Sequence, residues 1–201
     1  LDTVFGYLKE QKEIERLNHL LVAKHNLQDK FIAFIDREIK NAREGKNAHI
    51  IIKLNNIQDT VMIDKLYEAS QAGVKIQLIV RGICSLIPGV PGLSENIEAI
   101  SIVDKFLEHP RVYIFENAGD KKIYISSADW MTRNMDLRVE ISCPIYDRDI
   151  QQEILETFEI CWQDNVKARL LCQDKENQYR NDNKPPLRSQ FALYEYYQEK
   201  L

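Results

Sequence analysis

The chain has little of what marks several common protein classes. Its four cysteines, Cys84, Cys143, Cys161 and Cys172, include no Cys-x-x-Cys pair, whereas disulfide-stapled secreted domains and zinc ribbons need denser or paired spacing. They read as reduced cytosolic thiols that serve packing. No apolar run approaches the ~20 residues that cross a bilayer, and the opening Leu1-Asp2-Thr3-Val4 lacks the basic-then-apolar order of a leader. The first residue is not Met, so the chain reads as a piece of a longer polypeptide. Positive charge is also short: 27 Lys and Arg against 31 Asp and Glu leave a net charge of -4. Nucleic-acid binders carry a basic excess, so no nucleic-acid partner is expected and any anion site must be local. The sequence contains no Walker-type glycine loop, no His-x-x-x-His pair and no repeat of solenoid period.

What is present is enough for one full domain, since 44% of the 201 residues are hydrophobic. Residues 3–21, rich in Glu, Lys and Leu, are expected to be helical without a core of their own. Over residues 28–44, Phe31, Ile32, Ile35, Ile39 and Ala42 paint one helix face, and Gly45 supplies the stop. His49-Ile50-Ile51-Ile52-Lys53-Leu54 is a β-branched strand, residues 59–72 a helix closed by Gly73, and Val74-Lys75-Ile76-Gln77-Leu78-Ile79-Val80 a second strand. That order predicts a right-handed crossover between parallel strands, with Arg81 at a strand's carboxyl end.

Residues 82–96 hold Pro88, Gly89, Pro91 and Gly92, which predicts a long loop beside Arg81. Strands are expected at 97–103, 111–115, 121–126 and 137–143, a helical turn at 104–108 and a hairpin-type turn at 117–120. Residues 149–162 form the last strong helix, with Ile150, Ile154, Phe158 and Cys161 on one face. Beyond Lys167 the chain turns polar and irregular, then forms a short helix over 187–200 whose Phe191, Tyr194, Tyr197 and Leu201 dock on the domain or on a neighbour. The fold class is α/β, a mixed sheet flanked by helices.

Two positions stand out for chemistry. Arg81, in Val80-Arg81-Gly82-Ile83-Cys84, puts a planar, permanently charged fork at a sheet edge where ligands bind, with a glycine beside it that lets backbone come close. His109, in Phe106-Leu107-Glu108-His109-Pro110-Arg111, supplies a group that titrates near neutral pH. Together they suggest phosphoryl chemistry. The alternatives are an arginine paired with a surface carboxylate and a histidine that merely shapes a turn. Ser126-Ser127-Ala128-Asp129-Trp130, followed by Met131-Thr132-Arg133-Asn134, either cradles an anion or forms a turn around a buried tryptophan. Arg111, Arg133 and Arg138 are further candidate phosphate contacts, each with a surface ion pair as its alternative.

Ile35-Asp36-Arg37-Glu38-Ile39, Lys65-Leu66-Tyr67-Glu68-Ala69-Ser70, Val80-Arg81-Gly82-Ile83-Cys84, Pro88-Gly89-Val90-Pro91-Gly92-Leu93-Ser94-Glu95-Asn96-Ile97, Ser101-Ile102-Val103-Asp104 and Ser126-Ser127-Ala128-Asp129-Trp130-Met131 occur in order. Together they resemble the C-terminal region of bacterial polyphosphate kinase of the phosphohistidine type, from about Leu20 onward. The resemblance implies a phospholipase-D-like α/β fold and reversible transfer of the ATP γ-phosphate to polyphosphate. It makes Arg81 and His109 the ATP- and phosphate-contacting pair, with His109 also catalytic, and places the phosphorylated histidine in a preceding domain. It divides the chain into residues 1–20 (the end of that domain or a linker helix), 21–166 (the phospholipase-D-like domain) and 167–201 (an extension with a docking helix).

The implied partners are ATP or ADP, inorganic polyphosphate, the upstream domains of the same polypeptide and further copies in a homo-oligomer. Mg2+ is expected in the complete enzyme, with no ligands in this chain. The implied location is the cytoplasm, or the periphery of the inner membrane. Two other readings stay open: a non-catalytic polyphosphate- or nucleotide-binding module, and a phospholipase-D-like hydrolase. The second departs from its pattern here, since Arg111 stands where a lysine is expected two residues after the histidine.

Overall fold

The computed structural model describes residues 2–10, 17–174 and 176–200. The amphipathic pattern at 28–44 appears as helix α2, Leu27–Arg43, which follows a first helix α1, Asp2–Glu10, and a two-residue strand β1, Leu21–Val22. Then come β2 (His49–Leu54), α3 (Thr60–Gln71), β3 (Lys75–Val80), β4 (Ile97–Ile102), β5 (Val112–Phe115), β6 (Lys122–Ser126), β7 (Ile141–Ile145), α4 (Arg148–Trp162), β8 (Ala168–Leu171) and α5 (Ser189–Gln198). Side-chain oxygens start two of the helices. Asp59 accepts from Met62 N at the head of α3, and Asp147 accepts from Asp149 N and Ile150 N at the head of α4.

The strands form one eight-stranded sheet in the order β1-β7-β6-β5-β2-β3-β4-β8. Strands β2, β3 and β4 run parallel, and all other pairings are antiparallel. Alternation along β2 buries Ile50, Ile52 and Leu54 on one face, against Phe31, Ile35 and Ile39 of α2 and Met62 and Leu66 of α3. Ile79, Ile100 and Ile102 point the other way and pack with Phe158, Cys161 and Trp162 of α4. The parallel strands are therefore covered on both faces, which is why they read as nearly continuous apolar runs.

Several local expectations are revised. Residues 104–108 form an irregular segment rather than a helical turn. The strand expected at 137–143 begins later, because Arg133–Leu137 wind into a π-type turn that buries Met135 and lets Asn134 Nδ2 donate to Glu140 Oε1 (2.6 Å). Beyond Lys167 the chain is not irregular throughout: Ala168–Leu171 pair with β4. Four residues are too few to show a period against polar flanks.

The first helix is described over Asp2–Glu10, residues 11–16 lie outside the described residues, and Leu21 is in a strand. In α4, Ile150 is half exposed and the inward face is carried by Phe158, Cys161 and Trp162. In α5, Phe191, Tyr194 and Tyr197 are exposed, and the buried residues are Ser189 and Gln190. Leu201 lies outside the described residues.

The loop 81–96 joins two parallel strands with no helix between them. Gly89 and Gly92 adopt φ of +73°, and the buried Ser94 hydroxyl donates to Ile87 O (2.6 Å) and accepts from Val90 N (2.9 Å). At its start Gly82 N donates to Asn55 O (2.7 Å), and a Cβ there would lie 2.7 Å from Asn56 Oδ1 and 3.1 Å from Asn55 O. The glycine admits the neighbouring loop rather than a ligand. Gly82→Ala is expected to destabilise the chain by about 1–3 kcal/mol through this overlap. Measured by urea unfolding, Gly82→Ala combined with Asn56→Ala should cost less than the sum of the two single changes, because the second removes the obstructing oxygen.

Candidate functional site

The carboxyl ends of β2, β3 and β6 and the amino end of β5 meet at one sheet edge, since β5 is antiparallel to both of its neighbours. Backbone hydrogen bonds zip the loops beyond the strands: Arg81 N to Leu54 O, Ile57 N to Ile83 O (2.8 Å), Gln58 N to Trp130 O (2.7 Å) and Trp130 N to Asn56 O (3.1 Å). Trp130, fully buried, stacks on Tyr113 of β5 with ring centroids 5.3 Å apart and planes 8° apart. The Tyr113 hydroxyl donates to Ala128 O (2.6 Å), and burial pushes its pKa well above the usual value, which keeps it a neutral donor.

Asp129, 3% exposed, is the centre of the polar group. Its Oδ1 accepts from Arg111 Nε (2.9 Å), Asn55 N (2.9 Å) and Asn55 Nδ2 (3.3 Å), and its Oδ2 from Asn56 Nδ2 (3.0 Å) and Arg111 Nη2 (3.3 Å). Burial works against ionisation, but the bonds from Arg111, Asn56 and Asn55 outweigh it and hold its pKa below the usual carboxylate value. Asn55 Oδ1 in turn accepts from Arg81 Nε (2.8 Å), so one buried carboxylate orients both arginines.

His109 lies between them. Arg81 Nη2 is 3.3 Å from its Nδ1 and Arg111 Nη2 is 3.1 Å from its Nε2; Arg111 Nη1 also donates to His109 O (3.2 Å). Guanidinium groups only donate, while a neutral imidazole offers one lone pair and one N–H. Whichever tautomer is present, one ring N–H therefore faces a cationic donor rather than an acceptor. An anionic oxygen seated beside that N–H and the neighbouring guanidinium would accept from both. The Nη1 donors of Arg81 are uncommitted among the described residues, whereas Arg111 is taken up by Asp129 and His109.

The model of the family described as polyphosphate kinase C-terminal domain 2 matches residues 20–190. The chain belongs to that family. It is 48% identical over 194 residues to the polyphosphate kinase of Vibrio parahaemolyticus, covering 96% of this chain and 28% of the relative. The Escherichia coli K12 polyphosphate kinase is 46% identical over the same shares. The chain thus spans about a quarter of the length of the curated relatives it matches. The crystal structure of the Porphyromonas gingivalis polyphosphate kinase superposes with a TM-score of 0.95 at 42% identity, over 99% of this chain and 31% of that one. The phospholipase D family member Nuc from Salmonella typhimurium superposes with a TM-score of 0.55 at 12% identity, over 77% of this chain and 98% of that one, a likeness of fold alone.

In this polyphosphate kinase domain the geometry unites Arg81, just beyond β3, with His109 and Arg111, both just before β5. Arg133 and Arg138, by contrast, are exposed on and just after the π-type turn and make none of the group's contacts. Ser126 and Ser127 are turned toward β7: Ser142 Oγ donates to Ser126 Oγ (2.6 Å), and Ser127 bonds Glu140. Sequence reasoning missed Asn55, Asn56 and the role of Asp129. The available signal was two adjacent amides directly after a strand that ends at the ligand edge. No three His, Cys, Asp or Glu side chains converge among the described residues, and Asp129 is saturated by Arg111 and the two asparagines. No helix among the described residues is long and apolar enough to cross a membrane.

Asp129 should leave a signature in acid. Its folded pKa lies below the unfolded value near 3.8, so the stability it contributes is fully present above about pH 4 and disappears as pH falls through its folded pKa. Asp129→Asn should cost about 3–5 kcal/mol at pH 7, because it strands the Arg111 charge, and it should flatten the acid limb of stability. Urea midpoints measured between pH 7 and pH 2.5 check both; equal acid slopes in the two proteins would refute the assignment.

Proposed function

We propose that the chain serves a polyphosphate kinase that reversibly transfers the ATP γ-phosphate to inorganic polyphosphate, and that Arg81 and His109 are its contribution to the phosphate site. The observation that supports this reading is the histidine ring held between two guanidinium groups at the sheet edge, with donors left over. Phosphoryl transfer relies chiefly on positioning and on stabilising charge over the equatorial oxygens. Arg81, whose Nη1 donors are uncommitted among the described residues, neutralises that charge. His109 donates its ring N–H to the bridging or leaving oxygen. Arg111 orients the ring and takes the place that a second free cation would occupy.

His109 is not the phosphorylated nucleophile in this reading, since each ring nitrogen faces an arginine donor. That histidine, the adenine contacts and any groups that hold Mg2+ belong to parts of the polypeptide outside this chain. ATP or ADP, polyphosphate, the remaining domains and further copies of the enzyme are the proposed partners, in the cytoplasm. Arg133 and Arg138 are retained as outer contacts for a long polyanion, reached from the exposed turn after Trp130.

In an enzyme of the relatives' full length, Arg81→Ala is expected to lower turnover on the order of 100- to 1,000-fold, with unfolding midpoints little changed. His109→Ala should lose roughly 100-fold, and His109→Gln should retain part of the activity because it keeps a neutral donor. Normal specific activity in Arg81→Ala would remove it from the chemistry. The 201-residue chain alone, incubated with γ-labelled ATP, should acquire no acid-labile phosphate; label at His109 near one equivalent would overturn its assignment as a donor.

A further inference from the structure

The segment 103–110 carries His109 to the site without regular structure, and apolar burial does not hold it there. Val103, Phe106 and Leu107 are 68%, 57% and 76% exposed. Behind them a cavity of about 440 Å3 separates the segment from α4 and α5, lined by Lys53, Glu108, Val112, Phe158, Cys161 and Leu193 among others. A loop with so few packed neighbours takes its position from polar contacts.

Those contacts come largely from α5. Gln190, 8% exposed, uses its whole carboxamide: Oε1 accepts from Phe106 N (2.9 Å), and Nε2 donates to Phe106 O (2.9 Å) and to Glu108 Oε1 (2.9 Å). The other Glu108 oxygen is paired with Lys53 Nζ of β2. At the start of the segment Arg188 grips Asp104 through Nε (2.8 Å) and Nη2 (2.6 Å). The clasp is itself anchored, because Asp164 Oδ2 accepts from Ser189 N (2.7 Å) while its Oδ1 accepts from Val166, Lys167 and Ala168 N. Glu108 is thus held from the sheet on one side and from α5 on the other, one residue before the ring that sits between Arg81 and Arg111.

We propose that Gln190 is a positioning residue for His109, fixing the main chain at Phe106 and the carboxylate of Glu108 so that the imidazole is delivered between the two guanidinium groups. The inference rests on the reading of His109 as a phosphate contact. The side chain is well chosen for it. A glutamate could accept from Phe106 N but could not donate to Phe106 O, and it would set a second carboxylate against Glu108; a methionine has the length and none of the bonds.

The test pairs Gln190→Met and Gln190→Glu with Leu193→Ala, which loosens the packing of α5 without touching the loop's hydrogen bonds. In the 201-residue chain, amide exchange at Phe106 and the nitrogen resonances of the His109 ring report the loop. In the enzyme of full length, kcat and KM for ATP report the chemistry. Gln190→Met should expose the Phe106 amide, shift the ring resonances and lower kcat roughly tenfold, the scale of a small misplacement of a reacting group, with KM within about twofold because Arg81 is untouched. Gln190→Glu should be worse in every measure. Leu193→Ala should lower the melting temperature and leave the ring resonances and kcat in place. An unchanged Phe106 amide and kcat in Gln190→Met would overturn the proposal, and so would losses in all three variants that simply follow melting temperature. If His109→Ala turns over normally, the reading of His109 itself has failed; if His109→Ala is crippled while Gln190→Met is not, the clasp alone is wrong.

Discussion

A carboxylate that is 3% exposed must have its lone pairs filled or it will not stay ionised, and Asp129 is the point from which the rest of the site is set. Arg111, Asn55 and Asn56 fill it, and each is thereby fixed in a single orientation. With its amide turned to Asp129, Asn55 presents its carbonyl oxygen to Arg81 Nε; with Nε on Asp129, Arg111 presents Nη2 to the histidine. The positions of two cations and the imidazole between them therefore follow from one anion that never needs to touch a substrate. Charges placed in advance in this way do not have to reorganise when an anion arrives.

The two halves of the site are built differently. Arg81, the asparagines and Asp129 sit on loops zipped by backbone hydrogen bonds continuous with the sheet and backed by the stacked Trp130 and Tyr113. His109 sits on a segment with exposed apolar side chains, a cavity behind it and polar tethers at Asp104, Phe106 and Glu108. Lys53 belongs to the second half. Burial opposes its charge, but Cys161 and Glu108 outweigh that and hold its pKa above the usual lysine value. Burial pushes the Cys161 thiol up despite the lysine 3.1 Å away. Stability is thus unevenly distributed: the sheet side is held by backbone hydrogen bonds and packing, the histidine side by a small number of side-chain hydrogen bonds.

Much of the scaffold was legible in the sequence. The crossover β2-α3-β3 announces itself through β-branched runs on either side of a capped helix, and Arg81 can be placed at a carboxyl end from that alone. The ordered motifs up to Ser126-Ser127-Ala128-Asp129-Trp130-Met131 carry the resemblance to polyphosphate kinase, and the family match over residues 20–190 bears it out. Elements whose existence depends on a distant partner were not legible. The four residues of β8 are a strand because β4 leaves an edge to be paired, and α5 is held by Ser189, Gln190 and Leu193 and by the Tyr196 and Tyr197 hydroxyls on Glu156 and Glu153, with Phe191 and Tyr194 of the aromatic stripe left exposed.

By itself the sequence determined the fold class and put Arg81 at a strand's carboxyl end, because apolar periodicity is local. Only the tertiary structure decided that Arg111 pairs with Asp129, that the hydroxyls of Ser126 and Ser127 belong to β7, and that His109 is bracketed on both ring nitrogens. The reason is that a hydrogen bond across 18, 26 or 28 residues of chain leaves no periodic trace. Which donor finds which acceptor is set by the register of β5 against β2 and β6, and that register exists only once the sheet has formed.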